Sequence, residues 1–220
     1  MSPLAYVERA AAAEPAGLLV LHHGRGTSEQ DLLPLAELLD PAQRLHVAAP
    51  RAPLAPAGAP GYHWYLVPRV GYPDPDTFAA AFQALAGFHD ELWQRTGIDP
   101  QQTILGGFSM GAVMSYALGL AAARPAPAGI LAFSGFLPTV ASWQPAPAAR
   151  TATSVFIAHG TRDPVIEVAF ARAAAWRLRG EGLQVEYRES DVGHEIDPTQ
   201  LPHALAWVDA TLAGKAPASA

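Results

Sequence analysis

Two runs of four consecutive apolar residues, Leu18-Leu19-Val20-Leu21 and Val155-Phe156-Ile157-Ala158, constrain the fold more than any other feature of the chain. A strand with one wet face alternates apolar and polar residues. A run that is apolar at every position is expected where helices cover both faces of the sheet. Comparable short runs recur along the sequence, separated by longer amphipathic stretches, and that alternation is the mark of an α/β domain with a mostly parallel central sheet. The pattern predicts strands over 17–22, 44–48, 103–108, 130–134, 154–159 and 184–189, and helices near 30–39, 76–95, 110–123, 165–179 and 200–212. Asp76 and Ser109 stand where helix N-caps are expected. The helix over 165–179 is expected to pack a face of Ala, Phe and Trp residues inward, Trp176 among them, with Arg172, Arg177 and Arg179 elsewhere.

Half of the 220 residues are hydrophobic, which excludes intrinsic disorder and suffices for one core. One domain over 1–213 is expected, with 214–220 as a frayed tail. A net charge of −6 without a Lys/Arg stripe argues against nucleic-acid binding. The absence of cysteine excludes disulfide scaffolds, thiolate metal sites and a Cys nucleophile. The start of the chain lacks a signal-like pattern, and its longest apolar stretch, 112–123, is too short to span a bilayer. A cytoplasmic protein without stable membrane insertion is the expectation. The segment 50–75, rich in proline and carrying Tyr62, Trp64, Tyr65 and Tyr72, is too long for an idle connection and reads as a functional loop.

The chemistry is concentrated in Gly107-Phe108-Ser109-Met110-Gly111, which follows an expected strand and opens an expected helix. In that setting a Gly-x-Ser-x-Gly string reads as a nucleophile elbow. The serine backbone must be strained to lift its hydroxyl above the sheet, and glycines let the strand fold back into the helix without a clash. A serine hydroxyl needs a base, and the base needs an orienting carboxylate. Asp163 follows the strand 154–159 and His194 follows the strand 184–189, so both fall at the carboxyl edge where Ser109 sits. Ser109, Asp163 and His194 are therefore the expected catalytic triad. Asp191, Asp197 and Glu167 are rival acids, and His159 is a rival base, for which a buried, hydrogen-bonded role is expected instead. The turn His23-Gly24-Arg25-Gly26 follows the first expected strand, so the N–H of Arg25, with that of Met110, is the expected oxyanion hole. His23 is expected to brace that turn. His22 and His23 project to opposite faces of a strand and have no suitably spaced third ligand, so no metal is expected.

These blocks together resemble the carboxylesterase/phospholipase branch of the α/β-hydrolases, which includes acyl-protein thioesterases. The likeness rests on His23-Gly24-Arg25-Gly26, Gly107 to Gly111, His159-Gly160-Thr161-Arg162-Asp163-Pro164-Val165 and Gly193-His194-Glu195-Ile196. It spans about 17–212. It implies an α/β-hydrolase fold with helices on both faces of the sheet and no large cap domain. It also implies a serine hydrolase of small-molecule carboxylic esters, acting through an acyl-enzyme and needing no cofactor. Arg25 departs from the apolar residue usual at that place in the better-known thioesterases and leaves room for a polar or anionic substrate. The segment Tyr62-His63-Trp64-Tyr65 resembles the family's aromatic loop, so Trp64, Tyr65, Leu66, Val67 and Phe136 are expected to line the substrate pocket. A second subunit could cover part of that loop, giving a homodimer. A lysophospholipase or acyl-thioesterase, a dienelactone-type lactonase and a catalytically silent binding module are the alternatives.

Overall fold

The computed structural model describes residues 3–213, so the expected tail over 214–220 lies outside the described residues. The elements in chain order are β1 (Tyr6–Arg9), β2 (Gly17–His22), α1 (Leu33–Leu39), β3 (Leu45–Pro50), α2 (Pro75–Thr96), β4 (Thr103–Phe108), α3 (Met110–Leu120), β5 (Gly129–Phe133), β6 (Ser154–Gly160), α4 (Val168–Gly180), β7 (Gln184–Ser190) and α5 (Leu201–Ala213). Seven strands form one sheet in the order β1-β3-β2-β4-β5-β6-β7. All neighbouring pairs are parallel except β1 with β3. This is the mostly parallel α/β-hydrolase arrangement, and no large cap is inserted into it.

Every residue of β2 is buried, and the pleat divides its side chains between two helix layers. Leu18 and Val20 join α2 and α3 in one cluster. Leu19 and Leu21 join α1 and α5 on the other face. A third cluster packs α3 and α4 over β5 and β6. Helix α3 lies at the centre of its layer with all eleven of its residues buried, which explains why its sequence is apolar all round rather than striped.

Several expectations need correction. Strand β1 was not foreseen: its four residues are exposed or half-buried, so Tyr6-Val7-Glu8-Arg9 lacks an apolar run. Asp74, rather than Asp76, caps α2, its carboxylate accepting the N–H of Thr77, while Asp76 lies in the first turn. Ser109 occupies the N-cap position of α3 but makes no side-chain cap bond. Helix α3 stops at Leu120 because Ala121 turns extended and bridges to Pro145. Helix α4 starts at Val168, and its buried stripe is Ala171, Ala174, Ala175 and Leu178. Trp176 lies off that stripe and is 81% exposed.

Between Pro50, which ends β3, and Pro75, which opens α2, the chain forms only isolated bridges, and it is fastened to the turn after β2. Gly26 N–H donates to Tyr62 O at 3.0 Å and Tyr62 N–H to Thr27 O at 2.8 Å. Gly61 makes this possible: a Cβ there would lie 2.2 Å from Gly26 O.

Candidate active site

Ser109 sits between the last residue of β4 and the first of α3 with φ 55° and ψ −119°, a conformation that costs a non-glycine residue energy and is retained at functional sites. Its neighbours make the turn feasible. A Cβ on Gly111 would fall 1.9 Å from His22 O, and one on Gly107 would fall 2.5 Å from Gly111 C. Ser109 is pinned from both sides, its N–H donating to Phe133 O at 2.8 Å and its carbonyl accepting from Val113 N at 3.2 Å.

The structure brings Ser109, His194 and Asp163 into one hydrogen-bonded line. His194 Nε2 lies 2.8 Å from Ser109 Oγ, and His194 Nδ1 lies 2.7 Å from Asp163 Oδ2. The other carboxylate oxygen, Asp163 Oδ1, accepts the N–H groups of Val165 and Ile166, each at 2.8 Å. Burial pushes the Asp163 carboxyl up, but the hydrogen bonds from His194, Ile166 and Val165 outweigh it and hold the group below the usual aspartate range. A carboxylate oriented in this way fixes His194 with its Nδ1 proton toward Asp163 and its Nε2 lone pair toward Ser109. The two loops lie against each other because Gly160 lacks a side chain: a Cβ there would be 2.2 Å from Gly193 O. Arg162 N–H then donates to Val192 O at 3.0 Å, and the Phe108 ring packs against His194 at 4.9 Å between centroids.

The rivals are otherwise engaged. Asp191 pairs with Arg162, Asp197 accepts the N–H of Thr199, and Glu167 is exposed at the start of α4. His159 is buried, with Nε2 2.7 Å from Ile166 O and 3.3 Å from Asp163 Oδ2. Burial depresses its basicity. It braces the acid loop from beneath.

The Arg25 and Met110 N–H groups donate to no acceptor among the described residues. The Arg25 turn is held by His23, whose Nε2 accepts Ala52 N–H at 3.0 Å, so its Nδ1 carries the proton donated to Gly24 O at 2.7 Å. Burial lowers the basicity of His23, in keeping with a neutral ring.

Beside Ser109 opens a cleft of about 420 Å³, its open mouth included, walled by Tyr65, Val67, Phe136, Ile166 and Met110 with Arg25 at its edge. Trp64 and Leu66 do not reach it. Trp64 is fully buried behind the wall, where its Nε1–H donates to His23 O at 2.9 Å and its backbone N–H meets Met110 Sδ at 3.2 Å. Leu66 points outward and is 44% exposed. Val70, Tyr72, Pro73 and Val165 were not foreseen as lining residues. For Tyr72 the signal was present, since it belongs to the aromatic loop. Among the described residues no group of three His, Cys, Asp or Glu side chains could hold a metal ion, and no helix is long and apolar enough to cross a membrane.

The profile of the Phospholipase/Carboxylesterase family matches residues 5–212. The chain is 28% identical to acyl-protein thioesterase 1 of Debaryomyces hansenii, covering 94% of this chain and 96% of that protein. It is 31% identical to esterase YpfH of Escherichia coli over 86% of this chain and 80% of that protein. Among solved structures it resembles esterase PE8, with a TM-score of 0.82 and 30% identity, over 95% of this chain and 99% of that one. The Bacillus cereus carboxylesterase gives a TM-score of 0.81 at 25% identity, over 96% and 95% of the two chains.

Proposed function

The chain belongs to the phospholipase/carboxylesterase family and is a hydrolase of ester bonds, and we propose that it is a serine carboxylesterase whose nucleophile is Ser109. The observation that carries this reading is the unbroken line from Ser109 Oγ through the His194 ring to the Asp163 carboxylate. His194 takes the Ser109 proton as the oxygen attacks the ester carbonyl, while Asp163 holds the tautomer and stabilises the imidazolium. The N–H groups of Arg25 and Met110 receive the oxyanion at the start of α3, where the helix dipole favours negative charge. His194 then protonates the departing alcohol, the acyl-enzyme remains, and water releases the acid by the same steps in reverse.

The small apolar cleft supports short acyl chains. Thioester cleavage is the second reading, favoured by the likeness to the Debaryomyces hansenii acyl-protein thioesterase. A p-nitrophenyl ester series from acetate to palmitate, run on the wild type and on Ser109→Ala, tests both. Expected is activity greatest at short chains and reduced at least about 10⁴-fold in Ser109→Ala, whose fluorophosphonate labelling also disappears. A rate that rises toward palmitate would move the reading to a long-chain acyl hydrolase. Hydrolysis at the wild-type rate in Ser109→Ala would overturn the mechanism.

A further inference from the structure

The described residues include all thirteen arginines of the chain, and most have a fixed partner. Arg9, Arg44, Arg51, Arg95, Arg124, Arg162, Arg172 and Arg188 each pair with a carboxylate. Arg150 and Arg179 donate to backbone carbonyls. The Arg25 guanidinium has neither a carboxylate nor a hydrogen-bond acceptor among the described residues, and Arg25 is one of the residues that line the cleft beside Ser109.

Its base is fixed even though its end is free. The turn that carries it is flanked by Gly24 and Gly26, held by the His23 ring, and tied to the aromatic loop through Gly26 N–H and Tyr62 O. Burial dominates at the neighbouring Tyr65, whose phenol it pushes up, and at His63, whose basicity it lowers; the Arg25 charge acts on both as a smaller contribution, so the side chain lies within electrostatic reach of the cleft wall. Among the described residues no aspartate or glutamate lines the cleft, and the Asp163 carboxylate is committed to His194, Val165 and Ile166. The start of α3 adds positive potential at the same place. At the rim a second arginine, Arg69, stacks on the cleft residue Tyr72 at 3.6 Å from the ring centroid. A chain of net charge −6 thus presents a local cationic mouth over an apolar floor. The oxyanion is to be received by backbone amides, so the guanidinium remains available for a second anionic group.

We infer that Arg25 selects esters that carry, besides the scissile bond, an ionised carboxylate a few bonds away, as in half-esters of short dicarboxylic acids. The inference rests on the serine-esterase reading above. The guanidinium forms a charge-assisted pair with the carboxylate while the methylene spacer lies on Tyr65 and Phe136. Hydrolysis itself is unchanged: water is consumed, and one carboxylic acid and one alcohol are released.

The test compares monoethyl succinate with its uncharged isostere ethyl 4-methylpentanoate, followed by pH-stat on the wild type, Arg25→Gln and Arg25→Lys. The wild type is expected to favour the anionic ester. In Arg25→Gln the anionic-to-neutral ratio of kcat/KM should fall about 10- to 100-fold, and Arg25→Lys should recover part of it. Added salt should shrink the preference in the wild type and leave it flat in Arg25→Gln. An unchanged ratio in Arg25→Gln would overturn the inference, as would an equal loss on both esters, which would assign the residue to the oxyanion site instead. Calorimetry on Ser109→Ala separates the two layers of argument without turnover. That variant should bind monoethyl succinate more tightly than the isostere, and Ser109→Ala/Arg25→Gln should not; equal binding of the two esters by Ser109→Ala would also overturn it. Failure of the underlying reading shows separately, as hydrolysis that survives Ser109→Ala.

Discussion

Helix α3 serves two serine–histidine contacts of equal length with opposite proton polarity. At its start, Ser109 Oγ lies 2.8 Å from His194 Nε2; inside the core, Ser115 Oγ lies 2.8 Å from His22 Nδ1. The groups beyond each imidazole differ. His194 leans on a carboxylate, which draws its proton to Nδ1 and leaves Nε2 free to take one from Ser109. Ser115 already donates its hydroxyl to Gly111 O at 3.0 Å, so its oxygen can only accept from His22. His22 Nε2 then accepts from His89 Nε2–H at 3.2 Å, and His89 Nδ1 has no partner among the described residues. Both core rings are driven toward the neutral form by burial, that of His89 to a pKa of about 3. A short serine–histidine distance is therefore no sign of a nucleophile. The third group decides which way the proton moves.

The largest expected consequence of that contrast lies at the carboxylate. Asp163→Asn should lower kcat by about 10⁴-fold, because an amide reverses the tautomer it must enforce, while the urea midpoint shifts far less. A stopped-time ester assay beside a denaturation curve reads both, and a loss under tenfold would place the acid elsewhere.

Acid should act on the other serine–histidine region. Unfolded imidazoles take up protons near pH 6.5, whereas His22 and His89 in the core resist protonation well below that. The unfolded state thus binds more protons as pH falls, and stability drops from about pH 6.5 downward. For two protons the loss by pH 5 is up to about 4 kcal/mol. Urea midpoints at pH 7, 6 and 5 measure it, and His22→Leu/His89→Leu should flatten the slope. A slope unchanged in the double variant would assign the acid sensitivity to other groups.

A smaller effect is expected at Ser115→Ala, which leaves the His22 Nδ1–H without an acceptor in the core. It should cost about 1–3 kcal/mol of stability, with kcat changed only a few-fold. A loss of turnover comparable to that of Ser109→Ala would erase the distinction between the two serines. Smallest of all is Trp176→Gln, which should move stability by no more than about 0.5 kcal/mol, as befits an exposed side chain.

The sequence conveyed much of this for identifiable reasons. Strands buried on both faces announce themselves as apolar runs, and the elbow, acid loop and base loop each follow such a run, so their convergence could be read from topology alone. Strand β1 was illegible because an edge strand with exposed residues has no run to detect. Trp176 misled because its size suggests burial, whereas the small alanines at 171, 174 and 175 are what let α4 approach the sheet. Trp64 misled in the reverse sense: its aromatic bulk suggested a substrate wall, but it braces His23 and Met110 from behind. The histidine pair in the core could not be inferred at all, since nothing local relates residue 22 to residue 89.

The close seating of Gly160 against Val192 and Gly193 joins the Asp163 loop to the His194 loop. Asp163 follows β6 and His194 follows β7, the strand at one margin of the sheet with a neighbour on one side only. Ser109 and the free amides of Arg25 and Met110 follow β2 and β4 at its centre. On the proposed mechanism, loosening of the β7 margin would draw His194 away from Ser109 while leaving the Arg25 and Met110 amides in place. Turnover would then depend on the local cohesion of a single border strand, whereas the two amides depend on strands at the centre of the sheet.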